Sequence, residues 1–85
     1  MKEFKYVVTD PAGIHARPAG EFVKAALKFD SEVNITKDGK TVSAKKIFGV
    51  MGLAAKQGQE ITITVSGSDE DTAASELEAF LKNNL

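Results

Sequence analysis

The apolar residues of this chain switch repeatedly between two spacings, and this switching limits the possible folds more than any other feature. Alternation with period two is typical of a half-buried strand, whereas spacing at i, i+3, i+4 and i+7 indicates one face of a helix. Period-two patterning occupies residues 3–8, 32–36, 40–44 and 61–66. Each of these four segments is therefore predicted to form a strand.

Three further segments have helical spacing. The first begins near His15 or Ala16, and Pro18 supports that start because proline is tolerated in the first turn of a helix. The second begins at Lys46 and the third at Ser68, whose hydroxyl can cap a free N–H group. The predicted buried faces are Ala19, Phe22, Val23, Ala26 and Leu27 in the first helix, Ile47, Val50, Met51 and Ala54 in the second, and Ala73, Leu77, Phe80 and Leu81 in the third.

The resulting element order is βαββαβα, in which Asp38-Gly39 is expected to form a two-residue hairpin turn between the second and third strands. The helices must all cover the same apolar face of one sheet. The predicted fold class is therefore α+β, an open-faced β-sandwich with four strands and three helices on one face. Residues 1–85 are expected to form a single domain, without a linker or an internal repeat.

Composition argues against several classes of function. The chain has no cysteine, so a disulfide framework is excluded and the reducing cytoplasm is the expected location. One histidine without cysteine falls short of a usual zinc ligand set, so no metal site is predicted. The formal net charge of -1 argues against a nucleic-acid partner. Neither a signal peptide nor a membrane-inserting segment is predicted.

The single histidine, His15, lies where a loop is predicted to become a helix. A helix N-terminus offers unpaired N–H groups and the positive end of the helix dipole, which together suit a phosphate. Arg17 adds a forked guanidinium donor, and these positive features favour a neutral, nucleophilic imidazole. A phosphoryl-accepting site is one interpretation, and a cap or surface histidine is the commoner role for such a residue.

The second predicted helix raises the separate question of a docking surface. Phe48 lies off the apolar stripe, and an exposed large apolar side chain near a reactive group suggests partner binding. Ile47 and Met51 fit core packing equally well. The lysines that could surround this surface are Lys24, Lys45 and Lys46, although simple solvation would also explain each of them.

Four segments together carry a family resemblance. They are Gly13-Ile14-His15-Ala16-Arg17-Pro18-Ala19, Asp38-Gly39-Lys40, Lys45-Lys46-Ile47-Phe48-Gly49-Val50-Met51 and Gln59-Glu60-Ile61-Thr62-Ile63. In order and spacing they resemble the HPr family of histidine-containing phosphocarriers, which serve the bacterial phosphoenolpyruvate-dependent sugar phosphotransferase system. The resemblance implies that the four-stranded sheet is antiparallel.

The resemblance also implies a function and the residues that perform it. His15 would accept a phosphoryl group on Nδ1 from phospho-enzyme I and donate it to enzyme IIA domains, while Arg17 and the first helical turn, Ala16 to Pro18, stabilise the bound group. The implied partner-binding residues are Arg17, Gly20, Lys24, Lys45, Lys46, Ile47, Phe48 and Met51. The chain would then be a monomeric carrier rather than an enzyme, with no cofactor and with regulatory proteins as further candidate partners.

One position departs from the family pattern, and three alternatives stay open. Lys46 stands where many relatives have a serine, which is phosphorylated in Gram-positive relatives, so no regulatory serine is predicted. An RNA-binding module would use Gly49-Val50-Met51-Gly52 as a GxxG loop, although its apolar middle residues suit a phosphate clamp poorly. A regulatory paralogue without carrier activity is the second alternative. A carrier for a nitrogen-regulating phosphorelay is the third.

Overall fold

The computed structural model describes residues 1–14 and 16–84. Within these ranges the elements follow one another as β1 Lys2–Val7, α1 Ala16–Ala26, β2 Glu32–Lys37, β3 Lys40–Ser43, α2 Ile47–Gly52, β4 Glu60–Ser66 and α3 Glu70–Asn84. The predicted order βαββαβα is confirmed, as is the open sheet with helices on one face. No helix within the described ranges is long and apolar enough to cross a membrane.

The sheet has the spatial order β1-β4-β2-β3, and every neighbouring pair of strands is antiparallel. Ile63 of β4 lies between Phe4 of β1 and Ile35 of β2, so the apolar positions of adjacent strands fall on the same, covered face. The alternate residues of β4, including Thr62 and Thr64, are only half buried and lie on the opposite face. The period-two pattern thus determines which face the helices cover.

The hydrophobic core lies between the covered face and the helices. Its largest fully buried apolar side chains include Phe22, Ile35, Ile61, Ile63, Leu77 and Leu81. Burial of a side chain of this size contributes roughly 1.5–3 kcal/mol to folding. α1 and α3 meet through the rings of Phe22 and Phe80, whose centroids are 5.7 Å apart. This contact joins α1, which follows His15 in the chain, to α3.

The turn between β2 and β3 has the predicted two-residue form. Asp38 and Gly39 have φ angles of 51° and 80°, and a type I′ turn requires positive φ at both central positions. Lys37 and Lys40 are paired on either side of the turn. The Asp-Gly dipeptide therefore sets the register of the hairpin.

Some of the predicted helical positions were wrong. Leu27 is 60% exposed because α1 ends at Ala26. α2 has only six residues, and Val50 is the one it buries fully. Met51 is 37% exposed, and Ala54 is exposed and lies beyond the helix end. A helix of fewer than two turns buries too few residues for its spacing to define a face.

The start of α3 also differs from the prediction. The helix begins at Glu70 rather than Ser68, and Glu70 Oε1 accepts a hydrogen bond from the N–H of Gly67 at 3.2 Å. A carboxylate that reaches back in this way satisfies a donor that the helix leaves free. Of the predicted buried face, Ala73, Leu77 and Leu81 are buried, whereas Phe80 is only partly buried.

Asp69 joins the segment before α3 to the segment after α1. Its carboxylate accepts hydrogen bonds from the N–H groups of Asp30 and Ser31, at 2.9 and 3.0 Å, and from the hydroxyl of Ser31. The hydrogen bond from the Ser31 side chain, followed by that from the Asp30 N–H, lowers the pKa of Asp69 below its ordinary value. The charged carboxylate is therefore the form that the fold favours.

Candidate functional site

The loop that leads to α1 lies against the loop that follows α2. The N–H of Val8 donates to the carbonyl of Gln59 at 3.0 Å, and the N–H of Gly58 donates to the carbonyl of Val8 at 2.8 Å. Further along, the N–H of Ile14 donates to the carbonyl of Ala55 at 2.9 Å. Ile14 is buried. The residue immediately before His15 is therefore held both by a backbone hydrogen bond and by the core.

Gly13 permits this close approach of the two loops. Its φ is 69°, in the left-handed region that favours glycine. A Cβ atom at this position would lie 2.4 Å from the carbonyl oxygen of Ala55 and 2.9 Å from Cα of Lys56. Any other residue would push the loops apart and disturb the hydrogen bond of Ile14 to Ala55.

His15 lies outside the described residues, and the helix that follows it begins directly at Ala16. Helix geometry leaves the N–H groups of a first turn without intrahelical acceptors. Pro18 lacks an N–H and is the third residue of α1, where its ring is buried. The N–H groups of Ala16 and Arg17 consequently remain as the donors of this turn, close in sequence to the histidine.

Arg17 extends from the first turn into solvent, with its side chain 87% exposed. Its Nε lies 3.9 Å from Oε1 of Glu21, an exposed pair that contributes little to stability. A shallow depression of about 290 Å³ lies beside it and is lined by Asp10, Arg17, Pro18, Glu21 and Asn84. The guanidinium can therefore be redirected towards an anion at little cost in stability.

The predicted partner-binding residues fall mainly on two neighbouring helices. Gly20 of α1 faces α2, since a Cβ built on it would lie 3.5 Å from Cδ1 of Ile47. Phe48 of α2 is 86% exposed, and Met51, one turn later, is partly exposed. Arg17, Gly20 and Lys24 recur at helical spacing along α1. The structure thus places the predicted residues on two helices that meet at Gly20 and Ile47, whereas Arg17 and Lys24 line depressions that they share with Glu21 and with residues of α3.

Leu27 is exposed just beyond the end of α1, although the sequence predicted it in the core. It follows α1 and continues the spacing of Gly20 and Lys24, and its N–H still donates to the carbonyl of Val23 at 2.9 Å. A single exposed leucine is common on protein surfaces, so its exposure alone does not identify a docking site. The position of Leu27 three residues after Lys24 is the sequence feature that could have indicated its exposure.

The two lysines before α2 have different surroundings. Nζ of Lys45 donates to the carbonyl of Phe29 at 2.8 Å, which joins the start of α2 to the segment after α1. Lys46 is exposed at the N-cap of α2, where its side chain makes no capping hydrogen bond. The ammonium of Lys46 is thus available to a partner, whereas that of Lys45 is used within the fold.

The GxxG pattern lies within a helix. Residues 49–52 belong to α2, and Val50 is completely buried against the core. A loop that clamps a nucleic-acid backbone must present its middle residues to solvent. Use of residues 49–52 as a GxxG clamp, on which the RNA-binding alternative depended, is therefore incompatible with this structure.

An open antiparallel sheet with helices on one face, and a histidine that directly precedes the first of those helices in the sequence, is the combination expected of a histidine phosphocarrier. The family model described as "PTS HPr component phosphorylation site" matches residues 2–83. The chain belongs to this HPr family, whose members are phosphocarriers of the phosphotransferase system rather than enzymes. The recognition made from the sequence is confirmed.

Individual relatives agree with this assignment. The phosphocarrier protein HPr of Lysinibacillus sphaericus is 46% identical over 81 residues, which cover 95% of this chain and 92% of that protein. The structure of HPr from Thermoanaerobacter tengcongensis superposes with a TM-score of 0.93 at 38% identity, covering 98% of this chain and 93% of that one. Crh of Bacillus subtilis, a catabolite repression protein described as a swapped dimer, gives a TM-score of 0.79 at 41% identity over 100% and 98% of the two chains.

Proposed function

We propose that this chain accepts a phosphoryl group on Nδ1 of His15 from phospho-enzyme I and donates it to enzyme IIA domains. One observation carries the proposal: the neighbours of His15 are Ile14, held by Ala55, and Ala16, the first residue of α1. The histidine is thus connected on one side to an anchored loop and on the other to an anion-binding helix end.

The transfer needs positioning and charge stabilisation more than further covalent chemistry. The Nδ1 lone pair forms the new bond to phosphorus, while the bond from phosphorus to the donor breaks and its electron pair stays with the donor. The N–H groups of the first turn and the Arg17 guanidinium stabilise the charge of the phosphoryl oxygens. The reverse of the same step delivers the group to the acceptor.

The proposed partner surface joins the exposed sides of α1 and α2. Its apolar members are Gly20, Leu27, Ile47, Phe48 and Met51, and its basic members are Arg17, Lys24 and Lys46. Aromatic and apolar anchors surrounded by charge are typical of transient interfaces. An acidic partner with an apolar centre fits this surface. Lys45 contributes to it indirectly, through its hydrogen bond to Phe29.

We also propose that residues 1–85 act as a single domain and as a monomer. β1 pairs with β4 of its own chain along its whole length. The N-terminal ammonium of Met1 lies 2.8 Å from Oε2 of Glu70, and Nζ of Lys2 lies 3.1 Å from Oδ1 of Asp71, so two surface ion pairs accompany this pairing and contribute little to stability themselves. Light scattering after size-exclusion chromatography should give the mass of one chain. A dimer mass at micromolar concentration would contradict this.

Intact-mass spectrometry tests the phosphorylation site. Wild type and His15→Ala are incubated with phosphoenolpyruvate and enzyme I and kept at alkaline pH, where phosphohistidine survives. We expect one acid-labile phosphoryl group on the wild type and none on the variant. The Phe48→Asp variant tests the docking surface. It should still be phosphorylated, but only at a higher concentration of enzyme I. A phosphoryl group retained by His15→Ala would refute the assignment.

A further inference from the structure

Lys37, the last residue of β2, makes an unusual contact for a lysine beside a hairpin turn. Its Nζ donates to the carbonyl of Leu53 at 2.8 Å and to that of Ala54 at 3.3 Å. The side chain is only 13% exposed, whereas the carboxylate of Asp38, 3.9 Å from Nζ, is in open solvent. The ammonium is therefore directed towards the backbone that follows α2.

This contact stabilises the end of α2. Leu53 is the C-cap of α2, so its carbonyl receives no hydrogen bond from an N–H of the helix, and Ala54 is the first residue beyond the cap. A positive charge near this end is favoured by the helix dipole. The chain turns sharply at this point, because the N–H of Ala54 donates to the carbonyl of Met51 at 3.0 Å and Ala54 has a φ of 51°. Alanine is disfavoured at positive φ, so this turn depends on contacts that hold it in place.

The same turn supports the segment before His15. The residue after Ala54 is Ala55, whose carbonyl accepts the N–H of Ile14 and lies against Gly13. The carbonyls that Lys37 contacts and the carbonyl that holds Ile14 therefore belong to three consecutive residues, Leu53, Ala54 and Ala55. A shift of the turn would be passed directly to the backbone at the phosphorylation site.

We infer that Lys37 is a positioning residue for phosphoryl transfer, acting through the 53–55 turn on the backbone next to His15. The inference rests on the proposed function, since it assigns Lys37 a role in the reaction of that histidine. Lys37 is not a member of the proposed partner surface, although Ala54 is hydrogen-bonded to Met51 of that surface, so the main effect of losing Lys37 is expected on the rate of transfer within the complex. A misplacement of about 1 Å at a reacting group can reduce a rate by up to about 100-fold.

The test compares Lys37→Met, which keeps the apolar stem and removes the ammonium, with Lys37→Arg and with Lys40→Met. Lys40 is an exposed lysine on the other side of the same turn and serves as the matched control. Two quantities are measured: amide hydrogen exchange at Ile14 relative to Ile63 in the core, and the single-turnover rate of phosphorylation by phospho-enzyme I as a function of its concentration.

For Lys37→Met we expect Ile14 to exchange roughly ten-fold faster while Ile63 stays protected, because the opening is local. The maximal transfer rate should fall roughly ten-fold with the half-saturating concentration unchanged, and Lys37→Arg should recover most of it. Lys40→Met should behave as wild type.

Three results would overturn the inference. Equal acceleration of exchange at Ile14 and Ile63 would mean that Lys37 contributes only to global stability. An unchanged maximal rate in a phosphorylated Lys37→Met variant would leave the proposed function intact and remove the role of Lys37. Failure of the wild type itself to accept a phosphoryl group would overturn the proposed function and this inference together.

Discussion

The contact between Gly13 and the loop after α2 makes a quantitative prediction. Replacing Gly13 with alanine places a Cβ atom 2.4 Å from the carbonyl oxygen of Ala55, well inside van der Waals contact, at a φ of 69°. The two atoms nearest to this Cβ, the carbonyl oxygen of Ala55 and Cα of Lys56, both belong to the backbone, so neither can move aside as a flexible side chain would. The substitution should therefore destabilise the protein through backbone strain and through steric overlap.

The two effects can be estimated separately. Left-handed φ costs alanine roughly 1–2 kcal/mol, of which about 0.4–1 kcal/mol is offset by the lower entropy of the unfolded chain. Overlap that forces a backbone shift costs roughly a further 1–3 kcal/mol. Gly13→Ala should thus lower the free energy of unfolding by about 1–5 kcal/mol, which corresponds to a fall in Tm of roughly 4–40 °C for a domain of this size.

Gly39→Ala is the matched control for this prediction. Gly39 has a φ of 80°, but no atom lies within 4 Å of the position of its Cβ. Gly39→Ala should therefore show the backbone strain alone, a loss of about 1 kcal/mol in the free energy of unfolding. Urea unfolding of both variants, followed by circular dichroism, measures the difference. If Gly13→Ala costs no more than Gly39→Ala, the two loops are not packed as the structure describes.

Three further changes have expected outcomes. Ala54→Gly should raise the free energy of unfolding by about 0.5–1 kcal/mol, and Tm with it, because glycine accepts the φ of 51° without strain. A fall in Tm would contradict this. Lys46→Asp should stabilise the fold by about 1 kcal/mol in urea unfolding, since it adds a capping carboxylate at the positive end of α2, and it should also weaken binding to enzyme I. Asp69→Asn should destabilise the protein at neutral pH. The lowered pKa of Asp69 means that its stabilisation is present above the ordinary value of 3.8 and is lost as pH falls through the lower, folded-state value, so the difference between variant and wild type should shrink progressively in acid below pH 3.8; a difference independent of pH would refute this role.

The strands and the element order could be predicted from sequence because each strand buries one face. In β4 the apolar residues Ile61, Ile63 and Val65 alternate without interruption, and all three are completely buried. α2 was predicted less well because six residues give its spacing too little length to identify a face. The left-handed conformation of Ala54 could not be predicted, since alanine rarely adopts it and tertiary contacts impose it.

In the candidate site, too, features carried by neighbouring residues could be predicted, whereas contacts between residues far apart in the sequence could not. The segment around His15 and Arg17 carries its chemistry within a few consecutive residues, so the sequence identifies it directly. The contact of Lys37 with Leu53 joins residues 16 positions apart and requires the three-dimensional fold. The exposure of Leu27 likewise depends on where α1 ends. Residues that hold or extend the site are therefore the ones that sequence patterns miss.

The central claim is that the chain both accepts and donates a phosphoryl group through His15. The most direct test supplies labelled phosphoenolpyruvate, enzyme I and an excess of an enzyme IIA domain, with this chain present in substoichiometric amount. We predict that more phosphoryl groups reach enzyme IIA than there are molecules of this chain, and that His15→Ala transfers none. Label that remains on the chain without reaching enzyme IIA, or transfer that persists in His15→Ala, would contradict the account.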